Sequence, residues 1–269
     1  MWSRAARACA ALVLLTALSA CATAPAGKRG WTQFRIDAGG RPLQAGMQTA
    51  AGNGEVLVVV LEGDGRAHDA RGRPTRDPTP GHAVGRDIAM AWPDRNAAWL
   101  ARPCQYVRRQ DASCAEPAWS QERFSPAQID TMAAGVDVLK ARTQARRVIL
   151  VGWSGGGVIA AVLTTRRTDV EALVTLAAPL DLSTWATATQ TTPLAAPPIA
   201  PLPEVVQLHL LGNRDRVAPA AALEPGARKL AGDRGAIEIW DAGHLCCWAA
   251  QAGRIAARLR DLQTQAAQR

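Results

Sequence analysis

One segment restricts this chain more than any other. The apolar run Val148–Val151 leads through Gly152-Trp153-Ser154-Gly155-Gly156-Gly157 into a second apolar run at Val158–Leu163. The first run is short and rich in β-branched residues, as a buried strand is, and the second suits a helix. Glycines two positions before and two after Ser154 permit a reversal too tight for side chains at those places. A strand, a sharp turn and a helix in that order need a sheet with helices packed on it.

The rest of the chain repeats the theme. Glu55–Leu61 contains Val-Leu-Val-Val-Val-Leu, which is too continuous for a sheet with one wet face and reads as a central parallel strand. Further strands are expected at Ala97–Ala101, Glu171–Ala177, Val205–Leu211 and Ala236–Trp240, with an antiparallel edge strand at Trp31–Ile36. The clearest helix starts at Ser125, with Pro126 at its first position and Gln128 completing a capping box. Its Ile129, Met132, Val136 and Leu139 recur at helical spacing, as do Trp248, Ile255, Leu259 and Leu262 near the C-terminus. Gly63–Pro80 and the proline-rich Thr189–Pro203 read as long loops. The expected fold is α/β, a mostly parallel sheet flanked by helices in a single domain, with its chemistry in the loops at the strand ends. The formal net charge of +8 comes with scattered arginines and no aromatic-interleaved basic stripe, which argues against a nucleic-acid partner.

Ser154, on a strained turn before a helix, is a candidate nucleophile, since G-x-S-x-G between strand and helix holds a serine hydroxyl exposed above a sheet. A phosphate-cradling turn is the competing reading, but the stretch lacks Walker lysine spacing and the G-x-G-x-x-G form. A serine hydroxyl needs a base. Of the four histidines, His68 and His82 precede the serine, and His209 lies inside an apolar strand. His244, in Asp241-Ala242-Gly243-His244 after the last strand, is left as the base. Asp215, in the loop after the preceding strand, is the candidate to orient it, with Asp181 as a rival.

From Glu55 onward the chain resembles the α/β-hydrolase superfamily. The resemblance rests on the serine turn, on Gly212-Asn213-Arg214-Asp215-Arg216-Val217-Ala218-Pro219 and on Asp-Ala-Gly-His. More narrowly it resembles uncharacterised bacterial lipoprotein hydrolases that carry the Glu62-Gly63-Asp64-Gly65 turn and the Ala101-Arg102-Pro103-Cys104-Gln105-Tyr106 segment. The resemblance implies a Ser154–His244–Asp215 triad and an oxyanion hole made by the backbone N–H groups of Gly155 and Asp64. Many members of the superfamily begin the oxyanion loop with His-Gly, whereas this chain places two carboxylates there. Those would oppose an oxyanion unless they point away or pair with Arg66 or Arg102. The implied activity is acyl hydrolysis of a small ester or amide without metal or cofactor, an esterase more readily than a peptidase. Trp92, Trp99, Trp119, Trp153 and Trp185 could line an acyl pocket, Trp153 being best placed. The opposing hypothesis is an inactive scaffold that only binds.

The N-terminus adds an address. Arg4 and Arg7 precede the apolar Ala8–Leu18, and Leu18-Ser19-Ala20-Cys21 resembles a bacterial lipobox. Residues 1–20 are thus expected to be a signal, with Cys21 lipidated, 21–30 a flexible tether and 31–269 the folded domain. Removal of Arg4 and Arg7 lowers the net charge by two, and about 240 residues remain for one core. An ordinary signal cleaved near Ala22 or Ala24 is the alternative. By the same resemblance, Ala22 permits sorting to the periplasmic face of an outer membrane. Of the six cysteines, Cys104, Cys114, Cys246 and Cys247 are then left as disulfide candidates in an oxidising compartment. Four cysteines allow three pairings. Adjacent cysteines rarely bridge each other, so Cys104–Cys114 is the favoured bond, against cross-pairing with 246 and 247. No histidine or CxxC pattern suggests a metal site.

Overall fold

The computed structural model describes residues 30–48, 54–93, 96–192, 194–202 and 204–268. The expected signal, Cys21 and the tether as far as Arg29 lie outside them. An eight-stranded sheet runs in the order β1-β2-β4-β3-β5-β6-β7-β8. Its strands are β1 (Trp31–Asp37), β2 (Pro42–Gln48), β3 (Val56–Leu61), β4 (Ala97–Leu100), β5 (Arg147–Trp153), β6 (Val170–Leu176), β7 (Val206–Gly212) and β8 (Gly235–Trp240). β1 and β2 pair antiparallel, as do β2 and β4, and from β4 to β8 every neighbouring pair is parallel. The fold class and single-domain architecture are those expected. The expected strands stand within a residue or two of their places, while β2 was not anticipated. Its sequence, PLQAGMQ, mixes glycine and polar residues because it follows a tight hairpin through Gly39 and Gly40, both at positive φ.

Among the described residues six α-helices cover the sheet: α1 (Val84–Ala91), α2 (Pro126–Thr143), α3 (Gly155–Arg166), α4 (Leu182–Thr189), α5 (Ala220–Ala231) and α6 (Ala252–Ala267). The continuous apolar character of β3 follows from burial on both faces. Val58 and Val60 pack with Ile88 of α1 and Ile255 and Leu259 of α6. Leu57, Val59 and Leu61 meet Ile129, Met132, Val136 and Leu139 of α2 and the apolar length of α3. Each such side chain contributes roughly 1.5–3 kcal/mol by leaving water.

Two expectations are corrected. The capping box at α2 does not form: Ser125 makes no side-chain cap bond. Gln128 instead accepts a hydrogen bond from Arg41 Nη1 at 3.1 Å, because Arg41 reaches across from the β1–β2 hairpin and competes for the amide. Cys104 and Cys114 are bridged as favoured, but Cys246 and Cys247 are bridged to each other, although adjacent. With Cys104 and Cys114 joined on their own loop, the neighbours at 246 and 247 are each other's partners. Gly243 N–H donates to Cys246 O at 2.6 Å and folds that turn back on itself.

Candidate active site

β5, β7 and β8 bring the candidate residues to one edge of the sheet, their carboxyl ends. Ser154 closes β5 and caps α3 with φ 53° and ψ −127°, a left-handed backbone that a serine adopts only when its surroundings enforce it. The surroundings are glycines. A Cβ on Gly152 would lie 2.4 Å from backbone atoms of Gly156 and Gly157, and one on Gly156 would lie 2.4 Å from Leu61 O. The turn, the start of α3 and the end of β3 thus touch through backbone alone.

Asp215, after β7, has its side chain fully buried. One oxygen, Oδ1, accepts the backbone N–H groups of Val217 (2.9 Å) and Ala218 (2.8 Å). The other, Oδ2, lies 2.7 Å from His244 Nδ1, and His244 Nε2 lies 3.2 Å from Ser154 Oγ. With a carboxylate at Nδ1, that nitrogen carries the proton and Nε2 is left as the acceptor facing the serine hydroxyl. Trp153 steadies the base: its indole N–H donates to His244 O at 3.0 Å, and its ring leans on the imidazole with centroids 5.1 Å apart. Asp181 is elsewhere, capping α4 through Thr184 N–H at 3.0 Å. His209 is a core residue of β7, between Thr175 Oγ1 (2.8 Å) and Gln207 Oε1 (3.2 Å).

The Glu62–Gly65 loop passes directly over the turn. A Cβ on Gly63 would lie 2.6 Å from the Trp153 ring and 3.2 Å from Ser154 Cβ, so only glycine allows this approach. Asp64 follows with its side chain across Gly155, where a Cβ would sit 1.9 Å from Asp64 Oδ1. Gly155 opens α3, where first-turn N–H groups lack partners within the helix.

Neither carboxylate of the loop stands free. Glu62 turns into the core, accepting from Trp99 Nε1 (2.8 Å) and from the N–H groups of Gly63, Gly85 and Arg86. Burial pushes its carboxyl above the usual range against these donors. Asp64 pairs with Arg102 Nη1 (2.9 Å) and with Arg123 Nε (2.8 Å). Burial alone would raise the Asp64 carboxyl, but the two guanidinium groups outweigh it and hold it below its ordinary value. Arg102 is one of the two partners that the sequence offers. Arg66 donates instead to Thr79 O, and Arg123 was missed because nothing local in Arg123-Phe124 marks it. Of the tryptophans considered for a pocket, Trp92, Trp99 and Trp119 are buried, Trp185 is half-buried, and Trp153 alone touches the histidine.

Neither a protein-family model nor a curated protein sequence matches the chain. Solved structures do. A cold-adapted esterase from an Arctic intertidal metagenomic library superposes with a TM-score of 0.57 at 15% identity, over 88% of this chain and 95% of that one. The esterase Pf2001 of Pyrococcus furiosus gives 0.57 at 13% identity, over 87% and 92%. A protein of unknown function from Agrobacterium tumefaciens, described as a candidate α/β hydrolase, gives 0.54 at 14% identity, over 87% and 94%. At such identities the likeness speaks for the fold, and with the strand order above it places this chain in the α/β-hydrolase fold.

Proposed function

We propose that the chain is a serine hydrolase that cleaves small esters through an acyl-enzyme. The observation that carries the reading is the hydrogen-bonded series Asp215–His244–Ser154, ending at a serine held in a left-handed backbone. As Ser154 Oγ bonds to the substrate carbonyl carbon, its proton passes to His244 Nε2. The imidazolium is stabilised by Asp215, whose second oxygen is already fixed by two backbone donors. The carbonyl oxygen takes up the negative charge and is received by the N–H groups of Gly155 and Asp64. Collapse of the adduct breaks the bond to the leaving alkoxide, which takes the proton from Nε2. Water then repeats the sequence on the acyl-enzyme.

The same chemistry would cleave an amide, and the preference for esters rests on the likeness of the fold to two esterases. The address is also part of the proposal: export, lipidation at Cys21 and tethering at the periplasmic face of an outer membrane, on the strength of the lipobox-like sequence. Among the described residues no helix is long and apolar enough to cross a membrane.

A fluorescent fluorophosphonate, applied to the domain beginning after residue 21, tests the reading. The wild type should label strongly, Ser154→Ala not at all, and His244→Ala much more slowly. A well-folded wild type that does not label would sink it in favour of a binding scaffold.

A further inference from the structure

Two short segments singled out in the sequence, Glu62–Gly65 and Ala101–Tyr106, meet in one cluster behind the serine turn. Gln105, fully buried, donates from Nε2 to Gly63 O at 2.9 Å, while its Oε1 accepts the Arg102 N–H at 3.1 Å. Arg102 reaches Asp64 Oδ1 with Nη1 and Arg123 O with Nη2, the latter at 2.5 Å. Arg123 forms an ion pair with Asp64 Oδ2 through Nε and donates a hydrogen bond from Nη1 to Ser120 O at 2.7 Å. Both guanidinium groups lie near the ring of the buried Phe124, 5.3 and 5.4 Å from its centroid. Both arginine side chains are nearly inaccessible to water, at 6% and 11% exposure.

We infer that Arg102, Arg123 and Gln105 are positioning residues for the oxyanion hole, holding the Asp64 N–H in place. The inference rests on the acyl-transfer reading of Ser154. Its physical basis is a geometry. Two guanidinium groups, themselves nearly inaccessible to water, face the Asp64 carboxylate beside Gly155, one at each of its oxygens. The carboxylate that would oppose an oxyanion is instead the anchor by which two cations grip the loop. The peptide of Asp64 is then fixed on both sides: Gln105 holds the carbonyl of Gly63, and the arginines hold the side chain. Donors set before the reaction need no reorganisation as charge develops.

Removal of one whole oxyanion donor costs about 100-fold or more in kcat, so displacing one through its support should cost on the order of 10-fold. The test compares wild type, Arg123→Gln and Arg123→Lys on a p-nitrophenyl ester and with a trifluoromethyl ketone, which adds to a serine as a tetrahedral oxyanion. In Arg123→Gln, kcat should fall about 10-fold and the Ki of the ketone should rise by the same factor, with KM within about two-fold. Arg123→Lys, which keeps the charge but not the fork, should recover much of both losses. Should Arg123→Gln fail to fold, the lysine variant alone decides, through a smaller loss shared equally between kcat and Ki. Folded variants with a lowered Tm but unchanged kcat and Ki would overturn the inference, as would a loss confined to KM. A wild type that neither labels with fluorophosphonate nor binds the ketone would instead overturn the reading of Ser154.

Discussion

At the scale of single residues, the most constrained group in the site is Asp215. Both its oxygens are committed, one to the imidazole and one to the N–H groups of Val217 and Ala218. Asp215→Asn is nearly isosteric but has a single acceptor oxygen. If that oxygen serves the two backbone donors, the amide NH2 confronts Nδ1 and imposes the wrong tautomer on His244. We expect a loss in kcat of about 10³–10⁴-fold with the fold intact, read from turnover beside circular dichroism. A variant within 10-fold of wild type would show that Asp215 does not orient the base. These three side chains were legible in the sequence because each sits in a short local pattern whose purpose is geometric. The glycines around Ser154 announce a tight turn, and the histidine and aspartate follow strands that are plain in hydropathy. Trp153 and Arg123 were harder to read, because their value comes from contacts 91 residues away in one case and with a loop near Asp64 in the other. No local pattern records such a partner.

At the scale of elements, the strands buried on both faces could be read as continuous apolar runs, whereas β2 and the eight-residue α1 and α4 could not. Eight residues make only about two turns, too few for an apolar position to recur often enough to be read as a helical period. The turn joining β8 to α6 illustrates a different gap: the mutual bond of Cys246 and Cys247 is invisible to spacing rules. It directly follows His244 and the exposed Leu245, and it leads to Trp248, which is completely buried. The base is therefore carried on a short turn closed by a disulfide whose Cys246 is exposed and pinned by one buried ring. Cys104, by contrast, is wholly buried. Thiol reagents attack accessible disulfides first. Under graded reductant followed by alkylation, Cys246 and Cys247 should be modified before Cys104 and Cys114, and fluorophosphonate labelling should decline in step with that first modification. Labelling that persists after both thiols are alkylated would show the bond to be dispensable for the base.

For the whole molecule, acid is the informative stress. Burial lowers His209 from its ordinary value to about 4. Gln207 donates from Nε2 to three carbonyls and leaves its Oε1 as an acceptor, so the neutral imidazole donates to Gln207 and accepts from Thr175. Between pH 6.5 and 4 the unfolded chain binds a proton here that the folded chain refuses. Stability therefore falls as pH is lowered through that window, by about 3 kcal/mol in all. Asp169 acts lower down. Burial would raise it, but hydrogen bonds from Arg167 and Lys140 hold it at about 2, so its contribution is complete above its ordinary value and fades only as pH falls toward 2. Urea midpoints measured from pH 7 to 4 should drop steeply for wild type and more gently for His209→Gln; parallel curves would exclude His209 as the source. The antiparallel hairpin at the sheet's edge has one more consequence. Two reversals, β1 to β2 and β2 to β4, turn β1 to run in the same direction as the parallel block. Trp31 therefore starts toward the end of the sheet opposite Ser154, about 17 Å away along the strands. A probe attached at the start of β1 would therefore sit at the end of the strands opposite the serine, clear of the Asp215–His244–Ser154 series.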